Sequence, residues 1–306
     1  MEKNENSSWL SSSNINMLEK HILCDVTLSA GNGNQPIQCH KCILASRSPV
    51  FEAMFCGPLA ESKQVIEMPD IEESVLSCFV RYMYSGMVDL TNNTVMHILY
   101  AAKKYDVPDL QSKCRSFLSK IMSTKNISIT LNQAIDFDDS ILQTMCLDFI
   151  VKQSDGVLKS DSFVEMSRSA LKAVLMCDTF GVSEDQLFLA CKRWAQHACE
   201  SAGREVTDEN LRQTLGEDLV NLIRFPAMPM KEFSEYVATG TFLSQTETLN
   251  EFRSIAELNI QRIVRKSHGW MSYLEKHFQI SGKWDSVSTN QSRIRGNVRN
   301  ENMSPS

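Results

Sequence analysis

The sequence predicts a mostly α-helical protein made of an α+β domain over residues 14–122 and an all-α bundle over residues 123–280. Three observations predict it. Short runs of alternating apolar residues, the period-2 mark of strands, occur only before residue 70, at Asp25 to Leu28, Ile37 to His40 and Val65 to Met68. From Asn126 onward apolar residues recur at helical spacing alone. A chain of 306 residues with 42% hydrophobic content also exceeds one average domain and can build two buried cores.

Residues 1–13 are polar and rich in Ser and Asn, and read as a disordered lead. Ile15, Leu18 and Ile22 then draw a narrow apolar stripe along a short amphipathic helix, a stripe that needs a partner surface. Val26, Leu28, Ile37 and Cys39 form a hairpin around Ala30-Gly31-Asn32-Gly33-Asn34, whose glycines permit positive φ. Ser48-Pro49 supplies a cap and a first-turn proline to a helix bearing Val50, Phe51, Met54 and Phe55. Asp70 and Glu73 have capping-box spacing ahead of a helix with Val75, Phe79, Tyr82 and Met83 inward, and Gly86 stops it. Val95, Ile98, Leu99, Ala102 and Tyr105 make the next helical face. Pro108 opens the last helix of the domain, which closes near Met122.

In the second half, Ile141, Met145 and Phe149 share one face, Phe163 to Met176 reads as a helix, and Leu187, Cys191 and Trp194 mark another. Ser183 with Gln186, and Ser244 with Glu247, are spaced as capping boxes. Beyond Ser281 apolar residues thin out, so residues 281–306 are expected to be disordered.

Composition narrows the function. A net charge of -6 disfavours a nucleic-acid surface, which draws its affinity from clustered Lys and Arg. The N-terminus has no signal-peptide order, and no apolar run approaches the roughly 18 residues of a membrane span, so a soluble, cytosolic protein is expected. The ten cysteines are scattered and read as free, mostly buried thiols. Cys39-His40-Lys41-Cys42 has zinc-like thiol spacing but no second pair, and Cys191, His197 and Cys199 do not share a helix face. Gly31-Asn32-Gly33 lacks the Lys-Ser/Thr of a phosphate loop, and no nucleophile motif is present. No catalytic residue, metal or cofactor is expected.

Several blocks stand in one order: Cys24-Asp25-Val26-Thr27-Leu28, His40-Lys41-Cys42-Ile43-Leu44-Ala45-Ser46, Ser48-Pro49-Val50-Phe51 and Met54-Phe55. They resemble the BTB/POZ fold. Ile66-Glu67-Met68-Pro69-Asp70-Ile71, Arg81-Tyr82-Met83-Tyr84-Ser85-Gly86 and Tyr100-Ala101-Ala102-Lys103-Lys104-Tyr105 look like the subgroup that carries BTB, BACK and a C-terminal PHR domain. In the helical half, Gln186-Leu187-Phe188, Arg193-Trp194-Ala195 and Ile223-Arg224-Phe225-Pro226 are similar to BACK landmarks. Only Gly282-Lys283-Trp284-Asp285-Ser286-Val287 is similar to the start of a PHR domain, so a missing or truncated substrate module is expected.

The resemblance implies a non-catalytic, homodimeric adaptor that binds a cullin-3 scaffold and presents an unidentified substrate for ubiquitination. In such adaptors an apolar residue, any residue and a Glu meet the cullin from the loop after the second apolar helix, and Leu59-Ala60-Glu61 stands there; Met54 and Tyr105 match other contact positions. A solvated loop glutamate beside a half-buried leucine is the competing reading. Asp25 and Lys41 match a charge pair near the dimer interface, against an ordinary strand-end salt bridge, and Ile15, Leu18 and Ile22 match the first helix that packs on the neighbouring subunit, against a helix packed on its own domain. Two other functions stay open, a short regulatory form that sequesters full-length relatives by heterodimerisation and a BTB transcriptional co-regulator. Relatives of this architecture carry an association with neuronal development.

Overall fold

The computed structural model describes residues 5–31, 35–58, 63–177 and 180–259. The chain divides into two compact units, Met1–Arg224 and Phe225–Ser306. The first unit opens with helix α1 (Glu5–Glu19), so the first helix begins well inside the polar stretch that the sequence assigned to a disordered lead.

A three-stranded sheet follows, in the order β2-β1-β3. Strand β1 (Val26–Ala30) pairs antiparallel with β2 (Ile37–Cys39) and parallel with β3 (Val65–Met68), with Leu28 opposite both Ile37 and Ile66. Val26, Leu28 and Ala30 point into the core, as do Ile66 and Met68 on β3, the alternation the period-2 pleat requires. Gly31 is needed for close approach rather than for a positive φ, because a Cβ there would lie 1.9 Å from the carbonyl oxygen of Pro69. Gly33 lies outside the described residues.

Between β2 and β3 run α2 (Lys41–Ala45) and α3 (Pro49–Cys56). Ser48 caps α3 as its sequence predicts, its Oγ accepting from the Phe51 amide at 3.1 Å. Then come α4 (Glu73–Ser85), α5 (Val95–Lys104) and α6 (Pro108–Ile121). Gly86 ends α4 in the left-handed conformation, φ 71°. The Asp70–Glu73 capping box does not form: Glu72 holds the cap position, and Asp70 turns to α5 instead. Phe51, Phe79, Leu44, Leu76 and Met83 lie fully buried among these helices; truncating one such side chain to Ala costs about 2–5 kcal/mol.

The unit continues past residue 122 through α7 (Ile127–Asp136), α8 (Ser140–Lys152), α9 (Ser154–Lys159), a 3-10 turn (Asp161–Glu165), α10 (Arg168–Leu175), α11 (Glu184–Ser201) and α12 (Asp208–Val220). The helix expected over Phe163 to Met176 is thus broken in two, because Ser167 starts a new helix by accepting from the Ala170 amide at 3.2 Å. Ser183 stands at the head of α11, but its side chain makes no cap bond. Inside α12, Gly216 leaves the helical conformation at φ 69°. Arg168 covers the kink, donating to the carbonyls of Thr214 at 2.9 Å and Leu215 at 2.6 Å and pairing with Asp218.

The second unit holds a 3-10 turn (Phe225–Ala227), α13 (Met230–Phe233), a π-helical turn (Ser234–Ala238) and a helix over 245–259. Here the predicted Ser244–Glu247 box does form in both directions, at 2.8 and 3.3 Å. Phe233 packs edge-on against Phe252 with ring centroids 4.9 Å apart. Residues 281–306 lie outside the described residues. Among the described residues no helix is long and apolar enough to cross a membrane.

Candidate interaction surface

Helix α3 sits on an aromatic stack. Phe51 lies between Phe55, at 5.6 Å, and Tyr105, at 4.6 Å, and Tyr105 leans on Phe79 at 5.6 Å. Ser48 Oγ donates to the Tyr105 carbonyl, tying the start of α3 to the end of α5. Burial pushes the Tyr105 phenol above its ordinary pKa. Tyr105 is therefore packed into the core and only 4% exposed. Met54, on the same helix, is half-buried and reaches solvent. Leu59 and Glu61 lie outside the described residues.

The C-terminal half of α5 is fixed from two sides. Asp70 accepts from both Lys104, at 2.6 and 2.7 Å, and the Tyr100 hydroxyl, at 2.5 Å; the bonds from Lys104 and then Tyr100 hold its carboxyl below the usual range. Lys103 Nζ donates to the carbonyls of Phe137 at 2.8 Å and Asp138 at 2.6 Å, the open end of α7, where a cation answers the helix dipole. From α6, Arg115 grips Asp139 with Nε at 3.2 Å and Nη2 at 2.8 Å. The Asp139 side chain is 1% exposed, and its Oδ1 also accepts from the Leu142 amide, capping α8. Burial opposes that carboxylate's charge, but the Arg115 and Leu142 bonds outweigh it and leave its pKa lowered. The α7–α8 turn is thereby locked onto α5 and α6, with Ile141 standing 55% exposed next to it.

At the N-terminus α1 lies along α4. Ser11 Oγ donates to the Ser85 carbonyl at 2.9 Å, Asn14 Nδ2 to that of Tyr84 at 3.3 Å, and Arg81 pairs with Glu19 at 3.0 Å. Leu18 is buried within its own chain and Ile15 is half-buried, so the predicted stripe is covered in part by α4. Ile22 falls after the helix and is exposed, beside Leu23 at 84%. Its carbonyl accepts from His40 Nε2 at 2.6 Å, which assigns the ring proton to that nitrogen. His40 Nδ1 then accepts from the Tyr84 hydroxyl at 2.7 Å, and that hydroxyl accepts from the His40 amide at 2.8 Å. Asp25 and Lys41 do not form the predicted charge pair among the described residues. The Asp25 carboxylate takes the Lys41 backbone N–H at 2.8 Å, at the exposed head of α2, while the ammonium lies 5.6 Å over the Phe55 ring.

Cys39 is buried and its thiol pushed up to about 12, by burial first and then by Cys24 and Asp25, whereas Cys42 is exposed. His197 is exposed while Cys191 and Cys199 are buried, the division of faces that their helical spacing predicts.

A sheet flanked by α1 and the five helices α2 to α6, running into a helical array, is the arrangement the resemblance implies, and comparison with known proteins decides it. The BTB/POZ domain pattern matches residues 15–122, and that of BACK, "BTB And C-terminal Kelch", matches residues 130–238. The chain belongs to the BTB/POZ family with a BACK domain. BTB/POZ domain-containing protein 6 of Xenopus laevis is 36% identical over 82% of this chain and 48% of its own length, and its Homo sapiens counterpart 33% over 92% and 52%. BTB/POZ domain-containing protein 3 of Homo sapiens is 32% identical over 90% and 55%. The chain spans about half the length of the curated relatives it matches.

BTB and BACK domains are in general interaction modules without catalytic chemistry, and BTB domains mediate dimerisation and partner binding. In this BTB–BACK chain the residues that sequence reasoning passed over are Lys103, Arg115 and Asp139, which join the two domains' helices. One signal was available, since Asp139-Ser140-Ile141-Leu142 has the pattern of an N-cap before an apolar run. The Arg115 end carries no comparable local mark, because its partner is 24 residues away.

Proposed function

We propose that this BTB–BACK chain is a dimeric, non-catalytic adaptor of the cytosol that binds a cullin-3 scaffold and thereby helps assemble a ubiquitin ligase around an unidentified substrate. The observation that carries the reading is the locked α7–α8 turn. A cullin held by the loop after α3 needs a contact wide enough to be stable, and the Lys103 and Arg115 bonds make α7 and α8 a fixed extension of the domain that bears α3. Met54 and Ile141 supply apolar side chains that reach solvent on that rigid unit. On this reading Leu59 enters an apolar groove of the cullin and Glu61 adds a hydrogen bond at its rim. Exposed Trp9, Leu10, Ile22 and Leu23 give the N-terminal side an apolar surface that a second copy of the chain would cover.

Calorimetric titration of the full chain with the N-terminal half of cullin-3, beside light scattering for mass, tests both parts. A dimer that binds at micromolar affinity or better, and loses that affinity in Glu61→Ala with its mass unchanged, is the expected result. A monomer, or a dimer without detectable binding, sinks the proposal.

A further inference from the structure

Helices α3 and α6 both begin at a proline, Pro49 and Pro108, and their first turns border one open cleft of about 470 Å3. Three carboxylates line it, those of Glu52, Asp106 and Asp109, with the single guanidinium of Arg47. None of the four has an ion-pair partner among the described residues. Tyr82 also lines the cleft. It is only 4% exposed and its ring lies 5.3 Å beneath the Lys113 ammonium, yet its hydroxyl has no hydrogen-bond partner among the described residues. The ring is buried, but its oxygen is not among the buried unpaired polar atoms, so it reaches solvent at the cleft that Tyr82 lines, where a ligand can take the place of water.

The charge balance selects the ligand. Helix N-termini favour anions, but Glu52 and Asp109 already occupy the first turns of α3 and α6 and answer those dipoles. Arg47 is turned toward Gly86, where an added Cβ would stand 3.6 Å from its Nη1, and Lys113 is bonded to the Gly86 carbonyl at 2.7 Å. The positive groups thus gather at one end and leave the three carboxylates to define the rest. A planar cation with several donors meets carboxylates and a phenol oxygen better than a compact ammonium does.

We propose that this cleft binds an arginine side chain of a partner polypeptide, with the guanidinium between Asp106, Asp109, Glu52 and the Tyr82 hydroxyl and the aliphatic stem between Pro49 and Pro108. The site gives the same domain a second recognition surface beside the proposed cullin contact.

The test is a methyl-labelled NMR titration of the full chain, read at Val107 in the cleft wall, with the peptide Gly-Ser-Arg-Ser-Gly and its citrulline and glutamate counterparts. Saturable shifts with the arginine peptide alone are expected. Asp106→Asn with Asp109→Asn weakens them by roughly tenfold or more, and Tyr82→Phe by roughly threefold to tenfold. Asparagine tolerates the positive φ of residue 106, 48°, and phenylalanine keeps the ring under Lys113, so both variants should fold. Glu209→Gln, an exposed acid on α12, controls for general negative charge. Equal shifts with citrulline or glutamate, no shift with arginine at millimolar peptide, or unchanged affinity in the cleft variants would each overturn the assignment.

Discussion

Tyr82 and Tyr84 stand two residues apart on α4, both almost wholly buried, and their hydroxyls are placed in opposite circumstances. The Tyr84 hydroxyl is closed on both sides by His40, whose far nitrogen in turn holds the Ile22 carbonyl. Tyr82 ends in a cleft among charges that have no ion-pair partners among the described residues. The same division separates the locked turn around Asp139, where each carboxylate oxygen is bonded, from the rim at Asp106 and Asp109. Polar groups that the protein satisfies itself maintain its shape; those it leaves open are available to something else.

The largest effect should come from opening the closed side. Asp139→Ala leaves the Arg115 guanidinium without its counter-ion and α8 without its cap, and should cost about 3–5 kcal/mol in urea unfolding. Because the folded pKa of Asp139 is lowered, its contribution is present above the unfolded carboxylate value near 4 and is lost as pH falls through the folded one. Stability measured against pH should therefore decline more gently on the acid side in Asp139→Asn than in the parent chain. Tyr84→Phe strands the His40 ring nitrogen and amide and should cost about 1–3 kcal/mol by the same measurement. Ser48→Ala removes the cap of α3 and its tie to Tyr105, a loss of about 1–2 kcal/mol visible as a lower thermal midpoint. Tyr82→Phe should change stability by less than about 0.5 kcal/mol, and a loss as large as that of Tyr84→Phe would erase the contrast between the two tyrosines.

What could be read in the sequence was what adjacent residues decide. The Ser48-Pro49 cap, the Gly86 stop, the hairpin and the Ser244–Glu247 box all depend on groups within a few positions of one another. Asp70 looked like a cap by the same logic, but its carboxylate is taken by Tyr100 and Lys104, more than 30 positions away in sequence on average, and distance along the chain hides such competition. Tyr105 carried a contact role by resemblance, while its burial follows from Phe51 and Phe79, whose faces converge only in three dimensions. Lys41 was matched with Asp25 as charge to charge; the backbone amide reached that carboxylate instead. The break before α10, made by the Ser167 cap, and the kink at Gly216 are joined by the next residue, Arg168, whose guanidinium covers the kink.

The lock between α6 and α8 bears on how the protein can be cut. A fragment ending at residue 122 keeps Arg115 and Lys103 but discards the Asp139 carboxylate and the Phe137 and Asp138 carbonyls they hold, so two cations and the apolar flank under Phe137 would meet water. Such a fragment would be prone to aggregate and would report poorly on any partner that touches this side. Expression boundaries placed after Val220 keep the lock intact.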